Sequence, residues 1–282
     1  MKRILISGAT GGIGGALVRY FFNRGEHVIA TGRNRKRLDA FKQELSSAGP
    51  GKLTTHVADF ASFADVHSLA ERLKSDYEDG LDAVIHTAAV FVGKKRYTED
   101  GHELQMQVNH LAPALLSLEL LPVLRKRRGR VISTTSELHR KAEMPETPFS
   151  ESRIYRPLKQ YARTKLYNLM FTIALDDRIG ENKGMRAFAV HPGLVKTDIG
   201  SKETSLRWRL LWRFATRKAI DPGRVVYTYS FLVYEKDTQS ALPYFYRTQP
   251  RPYSEEARDK AKVERLFEAT EAALDVRWDK EN

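Results

Sequence analysis

Short apolar, β-branched runs recur along the chain at Arg3–Ser7, His27–Thr31, Leu53–Ala58, Ala83–Thr87, Arg130–Thr134 and Met185–His191. None shows the strict polar alternation of a half-exposed strand, so each predicts a strand buried on both faces. The segments between them carry apolar residues at helical spacing: Ile13–Arg24, Arg35–Ser47, Phe63–Tyr77, Glu103–Leu124 and Leu158–Ile179. Strand and helix thus alternate over most of the chain. That order predicts an α/β architecture, a doubly wound parallel sheet with helices on both faces and right-handed crossovers. In such sheets ligands sit at the carboxyl ends of the strands, so the residues just after each strand are the ones to read. No internal repeat or low-complexity stretch interrupts the pattern, and residues 1–282 read as one domain.

Composition narrows the function classes. At 282 residues and 41% hydrophobic content the chain can bury a substantial core. Cysteine is absent, which excludes disulfides, thiolate nucleophiles and cysteine metal sites and suits a reducing compartment. Met1-Lys2-Arg3 and the apolar run after it resemble the start of a signal peptide, but Gly8, Gly11 and Gly12 end the run too soon. No stretch approaches the roughly 18 apolar residues of a membrane span. A cytoplasmic protein, at most peripheral to a membrane, is expected. The net charge of +12 permits an anionic cofactor, an anionic membrane surface or nucleic acid as partner, and does not choose among them.

After the first run comes Ser7-Gly8-Ala9-Thr10-Gly11-Gly12-Ile13-Gly14, opening a helix. Glycines there let the backbone turn tightly and approach a pyrophosphate at the helix N-terminus; the plain alternative is an ordinary glycine-rich turn. After the second run, Thr31-Gly32-Arg33-Asn34-Arg35-Lys36-Arg37 has four basic residues where an NAD-binding protein usually carries an acid. A guanidinium at Arg33 suits a 2′-phosphate, which favours NADP over NAD; otherwise the segment is a solvated basic helix start. After the third run, Asp59 and Phe60 either hold and flank an adenine, or Asp59 is the N-cap of the next helix. Tyr161 and Lys165, four residues apart, share a helix face, so that an ammonium can approach the phenol and favour its ionised form. Without such help a tyrosine of pKa about 10 is a poor acid–base group near neutrality.

Taken together and in order, these motifs resemble the short-chain dehydrogenase/reductase superfamily over nearly the whole chain. Gly8, Gly12 and Gly14 match its glycine turn, Asp59 its adenine-side aspartate and Asn109 its helix-borne asparagine. Ser136, Tyr161 and Lys165 match the serine after the fifth strand and the YxxxK pair, and Pro192-Gly193 with Thr197 the segment that holds the nicotinamide carboxamide. The resemblance implies a single-domain Rossmann-like fold of the classical type and hydride transfer between NADP(H) and a carbonyl or alcohol. It makes Tyr161 the proton donor or acceptor and Ser136 the hydrogen-bond partner of the reacting oxygen. Lys165 would hold the ribose and ease proton loss from Tyr161, and Asn109 would position a water linking Lys165 to solvent. Cofactor contacts are likewise implied for Thr10, Gly11, Ile13, Arg33 and Phe60, and for Ala88 and Val195. No metal is implied. Gln-Tyr-Ala-Arg-Thr-Lys-Leu-Tyr-Asn around Tyr161, His191–Thr197, the long Ser136-to-Tyr161 spacing and the tail around Arg251–Ser254 are similar to the retinol dehydrogenase-like branch.

Two features depart from that pattern or blur it. Where classical members carry Asn-Asn-Ala-Gly after the fourth strand, this chain has His86-Thr87-Ala88-Ala89. That is closer to the extended branch, whose glycine spacing Gly8, Gly11 and Gly14 also satisfy; only about ninety residues follow Pro192, short for the extended branch's substrate domain. His86 reads as a strand-end residue near the cofactor. Ser133-Thr134-Thr135-Ser136 offers several hydroxyls, of which Ser136 falls just beyond the strand while Ser133 would face the core or sheet.

Residues 198–222 would cover the substrate. Within them, 205–218 interleave Leu206, Leu210 and Phe214 with Arg207, Arg209, Arg213 and Arg217, beside Trp208 and Trp212. The segment reads as a substrate lid, a membrane-interface helix or a plain packed helix; the first two imply a lipophilic substrate. Residues 254–278 read as a charged capping helix packing through Ala261, Leu266, Phe267 and Leu274. Acids alternate with its basic residues and no nucleic-acid-reading motif is present, so no nucleic-acid partner is expected. A non-catalytic NADP-binding sensor or scaffold and an extended-type enzyme acting on a nucleotide sugar are the rival functions. A homo-oligomer is compatible with the sequence, as is a monomer.

Overall fold

A computed structural model describes residues 1–46, 48–196, 219–235 and 242–278. Its strands are β1 (Arg3–Ser7), β2 (His27–Gly32), β3 (Lys52–Val57), β4 (Ala83–His86), β5 (Arg130–Thr134), β6 (Arg186–Val190), β7 (Tyr244–Tyr246) and β8 (Gln249–Pro250). They form one sheet in the order β3-β2-β1-β4-β5-β6-β7-β8. All neighbours through β7 are parallel and only β8 is antiparallel. The order reverses beside β1, which lies between β2 and β4, and a crevice opens there at the carboxyl ends.

The helices are α1 (Gly12–Asn23), α2 (Arg35–Leu45), α3 (Phe63–Asp76), α4 (Leu104–Met106), α5 (Ala112–Glu119), α6 (Leu121–Arg125), α7 (Pro157–Lys183), α8 (Pro222–Tyr234), α9 (Glu255–Arg258) and α10 (Lys260–Leu274). They pack on both faces of the sheet. Leu5 of β1 belongs to the core shared with α3, α5, α7 and α10, whereas Ile4 and Ile6 face the core shared with α1, α2 and α8. Alternate residues of one strand are therefore buried on opposite sides, which is why β1 reads as an unbroken apolar run.

Several elements differ from the sequence expectation. The continuous helix expected over Glu103–Leu124 is broken: Gln107–Leu111 forms a π-helical segment between α4 and α5, and a further break separates α5 from α6. The tail is two helices rather than one, because Asp259 turns extended (φ −70°, ψ 101°) and caps α10 through Lys262 N–H. Of the expected tail contacts, Leu266, Phe267 and Leu274 are buried, but Ala261 is exposed and Val263 takes its place. α10 docks on α7 by stacking Phe267 on Phe171, centroids 5.3 Å apart, with the Arg178 guanidinium over the Phe267 ring at 3.8 Å. α8 was not anticipated, although Asp221-Pro222 is a readable start: the aspartate accepts Gly223 N–H at 2.7 Å and proline suits the first turn. The segments expected at 198–218, Thr197 included, lie outside the described residues.

Three of the buried histidines give the fold an acid-side signature. Burial pushes His86 down to about 3 and His27 and His110 down to about 4. Unfolding in the window between those values and about 6.5 takes up protons that the folded chain does not hold, so stability falls as pH drops through it. Urea unfolding at pH 7 and pH 5 is expected to show lower stability at pH 5, with net protons taken up by these histidines on unfolding at the lower pH. A pH-independent midpoint would contradict this.

Candidate active site

The turn after β1 is built for close approach. Gly8 has φ +65°, and a Cβ there would lie 2.7 Å from the Ala88 backbone. A Cβ on Gly14 would lie 2.3 Å from Gly8 O. Both positions exclude any side chain without backbone movement. β1 and β4 are stitched just above: Thr87 Oγ1 donates to Ser7 O at 2.6 Å, while Ser7 Oγ accepts from Thr87 and Ala88 N–H at 3.2 and 3.3 Å. Thr87, part of the departure from the classical motif, thus holds the junction on which the glycine turn rests.

Gly11 is the N-cap of α1 and offers no side chain to the first turn, which also lacks an acid. The first α-helical bond runs from Gly15 N to Gly11 O at 2.8 Å, leaving the Gly12, Ile13 and Gly14 amides without an acceptor inside the helix. The positive end of the helix dipole faces an open crevice, a fit for a pyrophosphate. The crevice is lined from four strand ends: Gly8, Thr10 and Gly11 after β1, Gly32 to Asn34 and Arg37 after β2, Ala58 to Phe60 after β3, and Thr87 to Val92 after β4. Arg33 and Arg37 are solvent-exposed and form part of this wall. Asn34 caps α2, accepting Arg37 N–H at 3.0 Å. Asp59 does not cap α3: Ser62 does, accepting Asp65 N–H at 3.2 Å. Asp59 instead accepts Ala61 N–H at 3.0 Å and stays in the crevice wall beside Phe60. These residues fit a dinucleotide with an adenine end over β2 and β3.

α7 adjoins this crevice at Phe91. Tyr161, one turn into α7, sets its ring edge-on to Phe91 of the crevice wall, centroids 5.8 Å apart. Lys165 is 2% exposed, donates to Thr134 O at 3.1 Å and lies over the Tyr161 ring, 5.3 Å from its centroid. Burial lowers the Lys165 ammonium to about 8. The same burial raises the Tyr161 phenol above its usual range, which corrects the expectation that the ammonium favours the phenolate. Nζ sits over the ring face and is held by a carbonyl, so desolvation outweighs its charge.

At the end of β5 the hydroxyls sort themselves. Ser133 is buried, Thr134 Oγ1 bonds Tyr229 Oη at 2.9 Å and Thr135 Oγ1 donates to Lys165 O at 2.6 Å. Ser136 caps the 3-10 turn Glu137–Lys141, its Oγ accepting Leu138 N–H at 3.3 Å. That bond uses a lone pair and leaves the Ser136 O–H free to donate. Asn109 sits mid-way in the π-helical segment, where its Oδ1 accepts Val90 N–H at 2.7 Å and its Nδ2 donates to Val90 O at 3.0 Å and Thr164 Oγ1 at 3.3 Å. The asparagine side chain therefore braces the crevice wall against α7, a role the sequence did not suggest. Pro192, Gly193 and Val195 follow β6, which runs beside Thr135, whose N–H donates to Val190 O at 2.9 Å. Val195 forms a parallel bridge with Ile220. His86 is buried, with Nε2 bonded to Ser117 Oγ at 2.8 Å, at the strand end as expected. Among the described residues, no helix is long and apolar enough to cross a membrane.

A parallel sheet with a glycine turn at its switch point, and a tyrosine–lysine pair packed against the crevice wall, is an arrangement fit for a dinucleotide beside a candidate acid–base group. A family profile for short chain dehydrogenases matches residues 2–207, and the chain belongs to that family. Within it, the chain is similar to mouse retinol dehydrogenase 14, 33% identical over 211 residues, 71% of this chain and 63% of that protein. It thus spans less than two thirds of that relative's length. With mouse retinol dehydrogenase 12 it shares 28% identity over 99% of this chain and 88% of the relative, so the resemblance to the retinol dehydrogenase-like branch holds. A crystal structure of an uncharacterized protein from Mycobacterium paratuberculosis superposes with a TM-score of 0.76 at 25% identity, covering 99% of this chain and 95% of that one. An alcohol dehydrogenase from Thermococcus sibiricus, complexed with 5-hydroxy-NADP, shares the fold with a TM-score of 0.67 at 21% identity, over 90% of this chain and 99% of that chain.

Proposed function

We propose that residues 1–282 form one NADP(H)-dependent oxidoreductase domain that interconverts a carbonyl and an alcohol on a lipophilic substrate. The observation that carries this reading is Tyr161 packed on Phe91 of the crevice wall with the Lys165 ammonium over its ring, together with a Ser136 hydroxyl after β5 that is free to donate. When bound, the nicotinamide dinucleotide supplies or takes the hydride. Tyr161, kept protonated by burial, gives its proton to the carbonyl oxygen in reduction and recovers one from the alcohol in oxidation. Ser136 donates a hydrogen bond to that oxygen as charge develops on it. Lys165, anchored by Thr134 O, keeps its charge beside the tyrosine ring and holds the ribose of the cofactor. Asn109 holds the Val90 loop, and hence the wall that Tyr161 packs on, in register with α7. The full set Asn109, Ser136, Tyr161 and Lys165 disfavours a non-catalytic sensor, which has no need of all four. The retinol dehydrogenase names of the relatives support a lipophilic alcohol or aldehyde as substrate. A cytoplasmic location, with the 205–218 segment as lid or peripheral membrane contact, belongs to the same proposal.

The test is NADPH oxidation across aldehydes, ketones, retinoids and quinones: turnover of at least one lipophilic carbonyl is expected, and none across the panel would overturn the reading. Cofactor choice is read separately. Arg33 and Arg37 on the wall after β2 favour a 2′-phosphate, and a lost charge-assisted bond is worth about 1.5–3 kcal/mol. Arg33→Ala is therefore expected to weaken NADPH binding by about ten- to a hundredfold while leaving NADH nearly unchanged; an unaltered NADPH/NADH ratio in calorimetry would remove the assignment.

A further inference from the structure

Three residues past the serine that follows the fifth strand, His139 is wholly buried and its ring is held at both nitrogens. Nδ1 lies 2.8 Å from Ser136 O, a carbonyl that can only accept, so Nδ1 carries the proton and donates. Nε2 lies 3.3 Å from Ser254 N, an amide that can only donate, so Nε2 accepts. The surroundings thus fix a single neutral tautomer, and a second proton on the ring would break the bond to Ser254. The ring also stands edge-on to Tyr244 of β7, centroids 5.1 Å apart, and Tyr244 Oη donates to Glu137 Oε2 at 2.8 Å. Arg140 pairs with Glu137 and donates to Pro252 O. The bonds to Ser254 and Pro252 tie the turn that carries Ser136 to the segment leading into the C-terminal helices, and the Tyr244 bond ties it to β7.

We infer that His139 is a positioning residue for the reaction: it holds the Ser136 carbonyl from behind, fixing the direction of the serine hydroxyl, and uses the Ser254 amide as its anchor. The inference rests on the catalytic reading of Ser136 and Tyr161 and adds a residue that acts through Ser136. The Ser136 carbonyl also accepts His139 N–H at 3.0 Å, so its backbone is bonded twice by one residue. A backbone rotation at Ser136 that would carry its Cβ, and the hydroxyl with it, away from the reacting oxygen must break both bonds. The Nδ1 bond sets the serine; the Nε2 bond sets the imidazole. Burial holds the imidazole below its ordinary range, in keeping with the neutral tautomer.

Two substitutions separate the bonds. His139→Asn keeps an amide donor where Nδ1 stands and loses the acceptor for Ser254. His139→Gln reaches the Ser254 amide and loses the donor to Ser136. Each removes one buried bond, so a merely structural role predicts equal falls in Tm and equal effects on turnover. The positioning role predicts similar Tm values but a split in kcat: His139→Asn within about threefold of wild type, His139→Gln down by about tenfold or more, with NADPH affinity unchanged in both. Equal kcat in the two variants, with Tyr161→Phe inactive, overturns the role of His139 alone. Full turnover in Tyr161→Phe overturns the catalytic reading and this inference with it.

Discussion

Replacing Tyr161 by Phe is expected to lower kcat for carbonyl reduction by about two to four orders of magnitude, the usual worth of a positioned proton donor. The phenylalanine ring keeps the edge-on contact with Phe91 and the place over which the Lys165 ammonium lies. Folding and NADPH binding should therefore change little. What is lost is the one proton that the site holds against the reacting oxygen, so the loss falls on kcat and kcat/KM alike rather than on KM. Stopped-flow measurement of NADPH oxidation, with the cofactor affinity measured by calorimetry on the same samples, checks both halves. Activity within a few-fold of wild type would reject Tyr161 as the acid.

The second large effect is expected from Gly14→Ala. The added Cβ would meet Gly8 O at 2.3 Å, Gly8 C at 2.8 Å and Thr87 Oγ1 at 2.8 Å. Two of those atoms are backbone and the third is the hydroxyl that stitches β4 to β1. No rotamer change relieves such a contact, so the turn must shift. Overpacking of this kind costs about 1–3 kcal/mol of stability. The larger consequence is for the dinucleotide, because the amides at the start of α1 move with the turn. Loss of two charge-assisted bonds, each about 1.5–3 kcal/mol, weakens NADPH binding at least about a hundredfold. Thermal unfolding and calorimetry together check the prediction, and wild-type affinity in the variant would exclude the α1 terminus as the phosphate site.

Five of the six expected strands were legible because burial on both faces leaves a run of apolar residues, whereas β3, at the sheet edge, is only half-buried against that expectation; β1 and β5 coincide with their expected bounds. The crevice followed from the strand ends, and Arg33, Asp59 and Phe60 all stand in its wall. The 104–125 region was misjudged as one helix for a physical reason. Its residues are buried on nearly every side, so no stripe betrays a change of phase. The three-residue β7 is too short to show a period. The direction of the Tyr161 shift was also illegible, since spacing places Lys165 on the right face without saying where Nζ points. Likewise nothing in Glu-Leu-His-Arg-Lys announces His139: its role depends on Ser254, 115 residues away.

The π-helical segment at Gln107–Leu111 holds one residue more per turn than its α-helical neighbours. Helix faces before and after it are consequently offset, and Asn109 reaches Val90 only from within that surplus turn. Shortening the chain there by one residue would let the wall close up as an ordinary helix and swing the asparagine off its strand-end loop. The spare residue is thus a hidden insertion: a length constraint on this wall that substitution leaves untouched and deletion would expose.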